Sequence, residues 1–420
     1  MGSRLTQGDA IHRTANVRSL LGYTSTGMKI GIISDGVRHI NESKATGDLP
    51  DNVHVLRDAI GGDEGTAILE IVYDMVPDAE LYFHDAGENK LAFNQAIAVL
   101  KAAGCTVICD DIGWADEPYF EDGIIASNIT TLLAGNQVIY VSSAGNDAVS
   151  HYQGGFYDDG TGHNDFSRGT SAARKSLYVR LAPNSSVDVF LEWDDQFGHS
   201  GNDYNLYFSN ADRSPRVYGD LQFSENVQNG AGDPLEFITF KNTGATPINC
   251  SIDVFKLHGA AKTLELFMYR GDGGATIYPN NLVEADSIYG HPAVPDVIAV
   301  AAVHQSTPST IEYFSSRGPV TIAYPSPEIR SKPDISGVDG VNVTGVGGFP
   351  SPFYGTSASA PHIAAIVAQI WGAHRDLTPA QVRSALYTSA VDLGTPGWDT
   401  SFGYGRADVL AMAGRTAPVD

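Results

Sequence analysis

The chain has 420 residues and a formal net charge of −23, with 26 Lys and Arg against 49 Asp and Glu. That length suits two domains or one large domain with an insertion, and 42% apolar and 10% aromatic residues exclude a disordered chain. The acidic excess argues against a nucleic-acid partner, and no run of about 18 apolar residues marks a membrane span.

The opening Met1-Gly2-Ser3-Arg4 lacks the apolar core of a secretory signal and reads as an end cut from a longer product. From Lys29 to Val141 short apolar runs alternate with helical periodicity. Strands are expected at 29–33, 81–83, 106–109 and 138–141, and helices over 66–72, 91–103 and 124–134. Such alternation predicts a doubly wound α/β fold, a parallel sheet covered on both faces, with its chemistry at the carboxyl ends of the strands. Asp35, Asp110, Asp111, Ser143 and Asn146 all fall just past strand ends.

The pattern changes after Asn146. A stretch over 150–175 is rich in Gly, Asp, His and Ser. Period-two runs follow at 176–181, 187–193, 205–208, 237–240, 250–257 and 264–269, the signature of an antiparallel sandwich. Apolar strand character returns at 297–303. The reading is an α/β domain over 1–155 and 284–420, interrupted by a jelly-roll-like β-sandwich over 160–283. The three cysteines, Cys105, Cys109 and Cys250, form no zinc pattern and read as small core residues.

The sharpest motif is Gly355-Thr356-Ser357-Ala358-Ser359-Ala360-Pro361-His362, ahead of a helix with apolar Ile363, Ile366, Val367 and Ile370. A serine between a tight turn and a helix start presents its hydroxyl outward, and its own N–H is available to an oxyanion. Taken alone, a helix-capping serine explains it equally well.

The whole string resembles the nucleophile motif of the subtilisin-like serine proteases. Ile30-Gly31-Ile32-Ile33-Ser34-Asp35-Gly36 resembles that family's aspartate strand, and Ser142-Ser143-Ala144-Gly145-Asn146 its oxyanion-hole loop. Lys332-Pro333-Asp334-Ile335 and Gly403-Tyr404-Gly405-Arg406 resemble its carboxyl-terminal signposts. The resemblance covers about 29–153 and 288–410 and leaves the insertion outside. The family's histidine is missing: in Gly61-Gly62-Asp63-Glu64-Gly65-Thr66-Ala67 its position is held by Glu64. His39, His54 and His84 have no Gly-Thr helix start beside them and read as surface or loop residues.

A Ser–Glu pairing resembles the sedolisins, acid-acting relatives on the same fold. Sedolisins place a second acid four residues along, here Ile68, and an aspartate in the oxyanion hole, where this chain keeps Asn146. The resemblance therefore implies a serine endopeptidase with Ser357 as nucleophile, Glu64 as general base and Asp35 as its carboxylate partner, with Asn146 and the Ser357 N–H as oxyanion donors. Asp111-Ile112-Gly113-Trp114 falls where relatives line the cleft with Ser-Leu-Gly. Asp111 is expected to share protons with Glu64 and Asp35, or to be one of a solvated strand-end pair, and Gly113 and Trp114 to wall the cleft. A glutamate base implies activity at acid pH.

In the insertion, Asp194, Asp195 and Asp203 resemble a loop of sandwich modules appended to secreted bacterial proteases. Clustered carboxylates suit calcium, though turn-forming Asp and Asn explain the string as well. No cofactor is required by this reading. The resemblance implies a polypeptide substrate, a monomer and a secreted protein. Two other classes stay open: an inactive pseudoprotease used as a peptide-binding scaffold, and a surface-binding protein with the sandwich as its working module.

Overall fold

In the computed structural model, residues 2–170, 175–210, 222–270 and 274–416 are described. The amino-terminal region carries α1 (Gly8–Ile11), α2 (Thr14–Leu21) and α3 (Ile40–Thr46), then α4 (Glu64–Met75), α5 (Lys90–Ala102) and α6 (Ile124–Ala134). Among these run β1 (Lys29–Ser34), β2 (His54–Arg57), β3 (Glu80–Asp85), β4 (Val107–Asp110) and β5 (Ile139–Ser143). After the insertion come β15 (Ile298–His304), the short β16 (Val320–Ile322) and β17 (Glu328–Arg330), and β18 (Ile335–Asp339). The chain then closes on α7 (Thr356–Ala373), α8 (Pro379–Thr388) and α9 (Val409–Thr416).

Seven of these strands form one parallel sheet in the order β18-β15-β5-β4-β1-β3-β2. Its central strands are apolar on both faces because helices cover both: Ile30 and Ile32 of β1 pack with α4 and α7, while Ile33 packs with α5 and α6. β2 closes one edge of the sheet, and three of its four residues are exposed, so it left no apolar run in the sequence. α7 is buried from Thr356 to Trp371 and runs under the sheet, which explains its near-continuous apolar sequence. Cys105, Cys109 and Cys250 are buried free thiols.

The insertion is a two-sheet sandwich. One sheet is ordered β11 (Leu235–Lys241), β8 (Ser186–Trp193), β13 (Thr263–Arg270), β6 (His151–Gly155). The other is β10 (Gln222–Ser224), β9 (Asp203–Asn210), β12 (Ile248–His258), β7 (Leu177–Leu181), β14 (Ala275–Ile277). None of these strands pairs with the parallel sheet. The expected start at 160 moves to 151, because β6 hydrogen-bonds to β13.

Alternation within the first sheet links the two parts. Val187, Val189, Leu191 and Trp193 enter the sandwich core, so Asp188, Phe190 and Glu192 face the other way. That face meets the α/β part: Glu192 Oε2 accepts the Tyr119 N–H at 2.9 Å, and Phe267 packs on Tyr119 and Tyr289 with ring centroids 4.8 and 4.6 Å away.

Several buried acids give the fold a definite pH response. Asp339, ending β18, accepts the Gly355 N–H at 2.9 Å, and burial pushes its carboxyl up to about 8. Burial likewise lifts Asp74 to about 7. A raised carboxyl binds its proton more tightly in the native state, so its contribution is complete below about pH 4 and is lost as pH climbs through the native value. Replacing Asp339 by asparagine removes that loss and keeps an acceptor for Gly355. The melting temperature of Asp339→Asn minus that of the parent should therefore rise by a few degrees between pH 4 and pH 8.5. Thermal melts across that range check it, and a flat or falling difference would show that Asp339 is ionised in the native protein.

Candidate active site

β1 ends by delivering Asp35 to the amino terminus of α4. The first N–H groups of a helix have no partner inside the helix, and Asp35 Oδ1 accepts two of them, from Glu64 at 3.0 Å and Gly65 at 3.3 Å. Burial raises the Asp35 carboxyl while these backbone donors oppose the shift. The contact is close: a Cβ on Gly62 would sit 2.0 Å from Asp35 Oδ2, and one on Gly65 2.4 Å from the Phe83 ring. Glycines on both sides of Glu64 thus let α4 start directly against the strand end, with Glu64 as its first residue.

The Glu64 side chain faces two groups, the Ser357 hydroxyl and the Asp111 carboxyl, each near enough to shift its proton affinity through a side-chain hydrogen bond. Burial is the largest influence on Glu64 and pushes it up, with the Asp35 charge adding to the rise. Asp111 is pushed well above the usual carboxylate range, first by burial, then by the Glu64 charge and by its hydrogen bond to Glu64. The signs are complementary: the bond stabilises Glu64 as carboxylate and Asp111 as acid. Burial pushes both carboxyls toward their protonated forms, Asp111 the further. Both Asp111 and Asp35, the partner the sequence suggests, act on the Glu64 carboxyl, Asp111 through its side chain and Asp35 through its charge. Asp35 also holds the helix backbone.

The solvated strand-end pair is corrected. Asp110 is fully buried, accepting from Ser142 Oγ and His291 Nε2, both at 3.0 Å, and from the Ile112 N–H at 3.1 Å. It belongs to the wall of the site and Asp111 to its interior.

Ser357 is the second residue of α7, preceded by Gly355 at φ 116°. Only glycine adopts that conformation without strain, and a Cβ there would come within 3.3 Å of Asn146 Nδ2. Asn146 lies just past β5. Its Oδ1 accepts both the N–H and the hydroxyl of Thr356 at 3.0 Å, and the Thr356 hydroxyl accepts the Gly145 N–H at 3.2 Å. These bonds use the amide oxygen and leave Nδ2 as a donor beside the helix start that bears Ser357.

A cavity of about 510 Å³ opens beside Ser357. Asp111, Gly113, Trp114 and Ser143–Asn146 line it, as the sequence places them, with Gly113 exposed and Trp114 half-buried. It is also lined by residues sequence reasoning missed: Asp147, Tyr289, and Asp188, Phe190 and Tyr269 from the sandwich. The period-two alternation of 187–193 could have put Asp188 and Phe190 on one face, but nothing local says that this face turns toward Ser357.

Of the expected calcium ligands, Asp195 Oδ1 lies 2.9 Å and Asp194 Oδ1 3.6 Å from Lys262 Nζ, so a lysine ammonium already balances that pair. Asp195 also accepts from Ser200 and Asn202. Asp203 is buried on β9. Among the described residues no three His, Cys, Asp or Glu are grouped to hold a metal ion, and no helix is long and apolar enough to cross a membrane.

Comparison with known proteins agrees with this architecture. Residues 271–405, which include Ser357, match the family model described as Peptidase_S8, the subtilase family. A subtilisin-like protease of Arabidopsis thaliana is 36% identical over 115 residues, 24% of this chain and 14% of that protein. Fervidolysin of Fervidobacterium pennivorans is 35% identical over 132 residues, 29% of this chain and 19% of its own. The matches thus span under a fifth of the length of these curated relatives. The solved structure of the Clostridium perfringens CspB protease shares the fold, with a TM-score of 0.62, 15% identity and 96% of both chains covered. The carboxyl-terminal part of the chain is thus similar to the subtilase family, and the whole chain shares the fold of a subtilisin-like protease.

Proposed function

We propose that the chain is a serine endopeptidase in which a Glu64–Asp111 carboxyl pair replaces the histidine base. What supports it is the Glu64 side chain, which faces both the Ser357 hydroxyl and an Asp111 carboxyl that burial pushes up. Ser357 Oγ attacks the peptide carbonyl as Glu64 takes its proton, and the oxyanion is held by Asn146 Nδ2 and the Ser357 N–H. Collapse breaks the C–N bond, with Glu64 returning the proton to the departing amine. Water then enters and attacks the ester carbonyl as Glu64 takes its proton; collapse breaks the acyl carbon–Oγ bond, and Glu64 returns the proton to Ser357 Oγ. Asp35 is a positioning residue: it ties down the start of α4 and with it Glu64. The family likeness supports a polypeptide substrate, a monomeric chain and export from the cell.

The singly protonated pair is the active form, which gives a bell-shaped pH profile and a preference for the acid side. The alkaline limb reports loss of the Asp111 proton. Asp111→Asn keeps a donor toward Glu64 but has no proton to lose, so its kcat profile should keep the acid limb and lose the alkaline one. An unchanged alkaline limb would assign that proton elsewhere.

Fluorophosphonate labelling of the protein at acid and neutral pH tests the activity itself. A label on Ser357, absent from Ser357→Ala, is the expected result. No label at either pH would leave a peptide-binding scaffold on the same fold.

A further inference from the structure

We infer that the cavity beside Ser357 receives a lysine or arginine side chain, so that cleavage follows basic residues; this rests on the peptidase reading above. The carbonyl under attack sits between Ser357 and Asn146, and the side chain on its acyl side enters the adjacent space.

The lining there is rich in acidic and aromatic side chains, and no lysine or arginine contributes to it. Asp188 projects from β8, half-buried, and no described residue is hydrogen-bonded or ion-paired to its carboxylate. Asp147 lies half-buried next to the oxyanion donor, and burial lifts its carboxyl to about 6, so it adds negative charge only toward neutral pH. Farther in, Glu117 is 1% exposed with neither carboxylate oxygen hydrogen-bonded, the nearest cation being Lys90 Nζ at 3.9 Å.

The rings complete the site. Tyr269 stands opposite Asp188 in the strand register, packs edge-on to Phe190 at 5.9 Å, and hydrogen-bonds hydroxyl to hydroxyl with Tyr289 at 2.6 Å. A guanidinium or ammonium is attracted by such ring faces and paired by the carboxylates, and the long methylene stem of either residue fills apolar space. An apolar side chain would strip water from the Asp188 carboxylate without supplying a counter-charge, and an acidic one would meet its like charge. The sandwich therefore acts as the wall that selects the substrate, since Asp188, Phe190 and Tyr269 all come from it.

The test uses peptides that differ only in the residue before the cleaved bond: Arg, Lys, Phe or Glu. At the optimum pH, kcat/KM for Arg and Lys should exceed that for Phe at least tenfold, with Glu lowest. Asp188→Asn should shrink the Arg-to-Phe ratio at least tenfold, and Asp147→Asn serves if the first variant melts early. Phe equal to or better than Arg would overturn the inference and leave the peptidase reading standing. If no peptide is cleaved, the peptidase reading fails, and fluorescence anisotropy of labelled peptides decides the cavity's preference. Tenfold tighter binding of the Arg peptide supports the inference, and equal binding overturns it.

Discussion

Glu64→Gln should lower kcat by about a thousandfold, because it removes the one group placed to take the Ser357 proton while keeping the size and polarity of the side chain. The amide still accepts the Asp111 proton in a hydrogen bond, so the fold around α4 should hold. Asp35 binds the backbone of residue 64 and does not depend on its side chain. The measurement is peptide hydrolysis across the pH range, with thermal melting as the control. If Glu64→Gln cleaves as fast as the parent at its optimum while Ser357→Ala is inactive, another residue is the base.

Asn146→Ala should cost about a hundredfold or more in kcat, roughly the 3–4 kcal/mol that one oxyanion donor supplies when it is aligned before the reaction. KM should move little, because the donor meets full negative charge only in the transition state. The alanine also removes the acceptor that Oδ1 offers to Thr356. Asn146→Asp keeps that acceptor but replaces the donor, so it separates support of the helix start from stabilisation of the oxyanion. Both variants slow and both folded is the expected result. A parental rate in either would take Nδ2 out of the mechanism.

How far the molecule was legible depended on whether the information was local. β1, β3, β4, β5 and β15 announced themselves because strands buried on both faces must be apolar throughout. α5 and α6 did so because a helix covering a sheet needs an apolar stripe. The turns at Gly355 and Gly62 were legible because close backbone approach and positive φ select glycine. β2 and β10 were not legible: short edge strands with exposed side chains carry no periodic apolar signal. β6 was missed because its His-Tyr-Gln-Gly-Gly sequence reads as loop until it finds β13.

For the site, sequence alone determined which residues stand at the strand ends and helix starts: Asp35, Glu64, Asp111, Asn146 and Ser357. It also determined that a glutamate stands where relatives keep a histidine. Which carboxyls lie close to the Glu64 side chain is decided only in three dimensions. Asp35 and Asp111 follow neighbouring strands, β1 and β4, and the sequence favours Asp35. Burial, together with the backbone donors that Asp35 alone receives, separates the two. The cavity was decided the same way. Alternation along β8 fixes that Asp188 and Phe190 share a face, but which neighbour that face meets depends on packing between segments far apart in the chain.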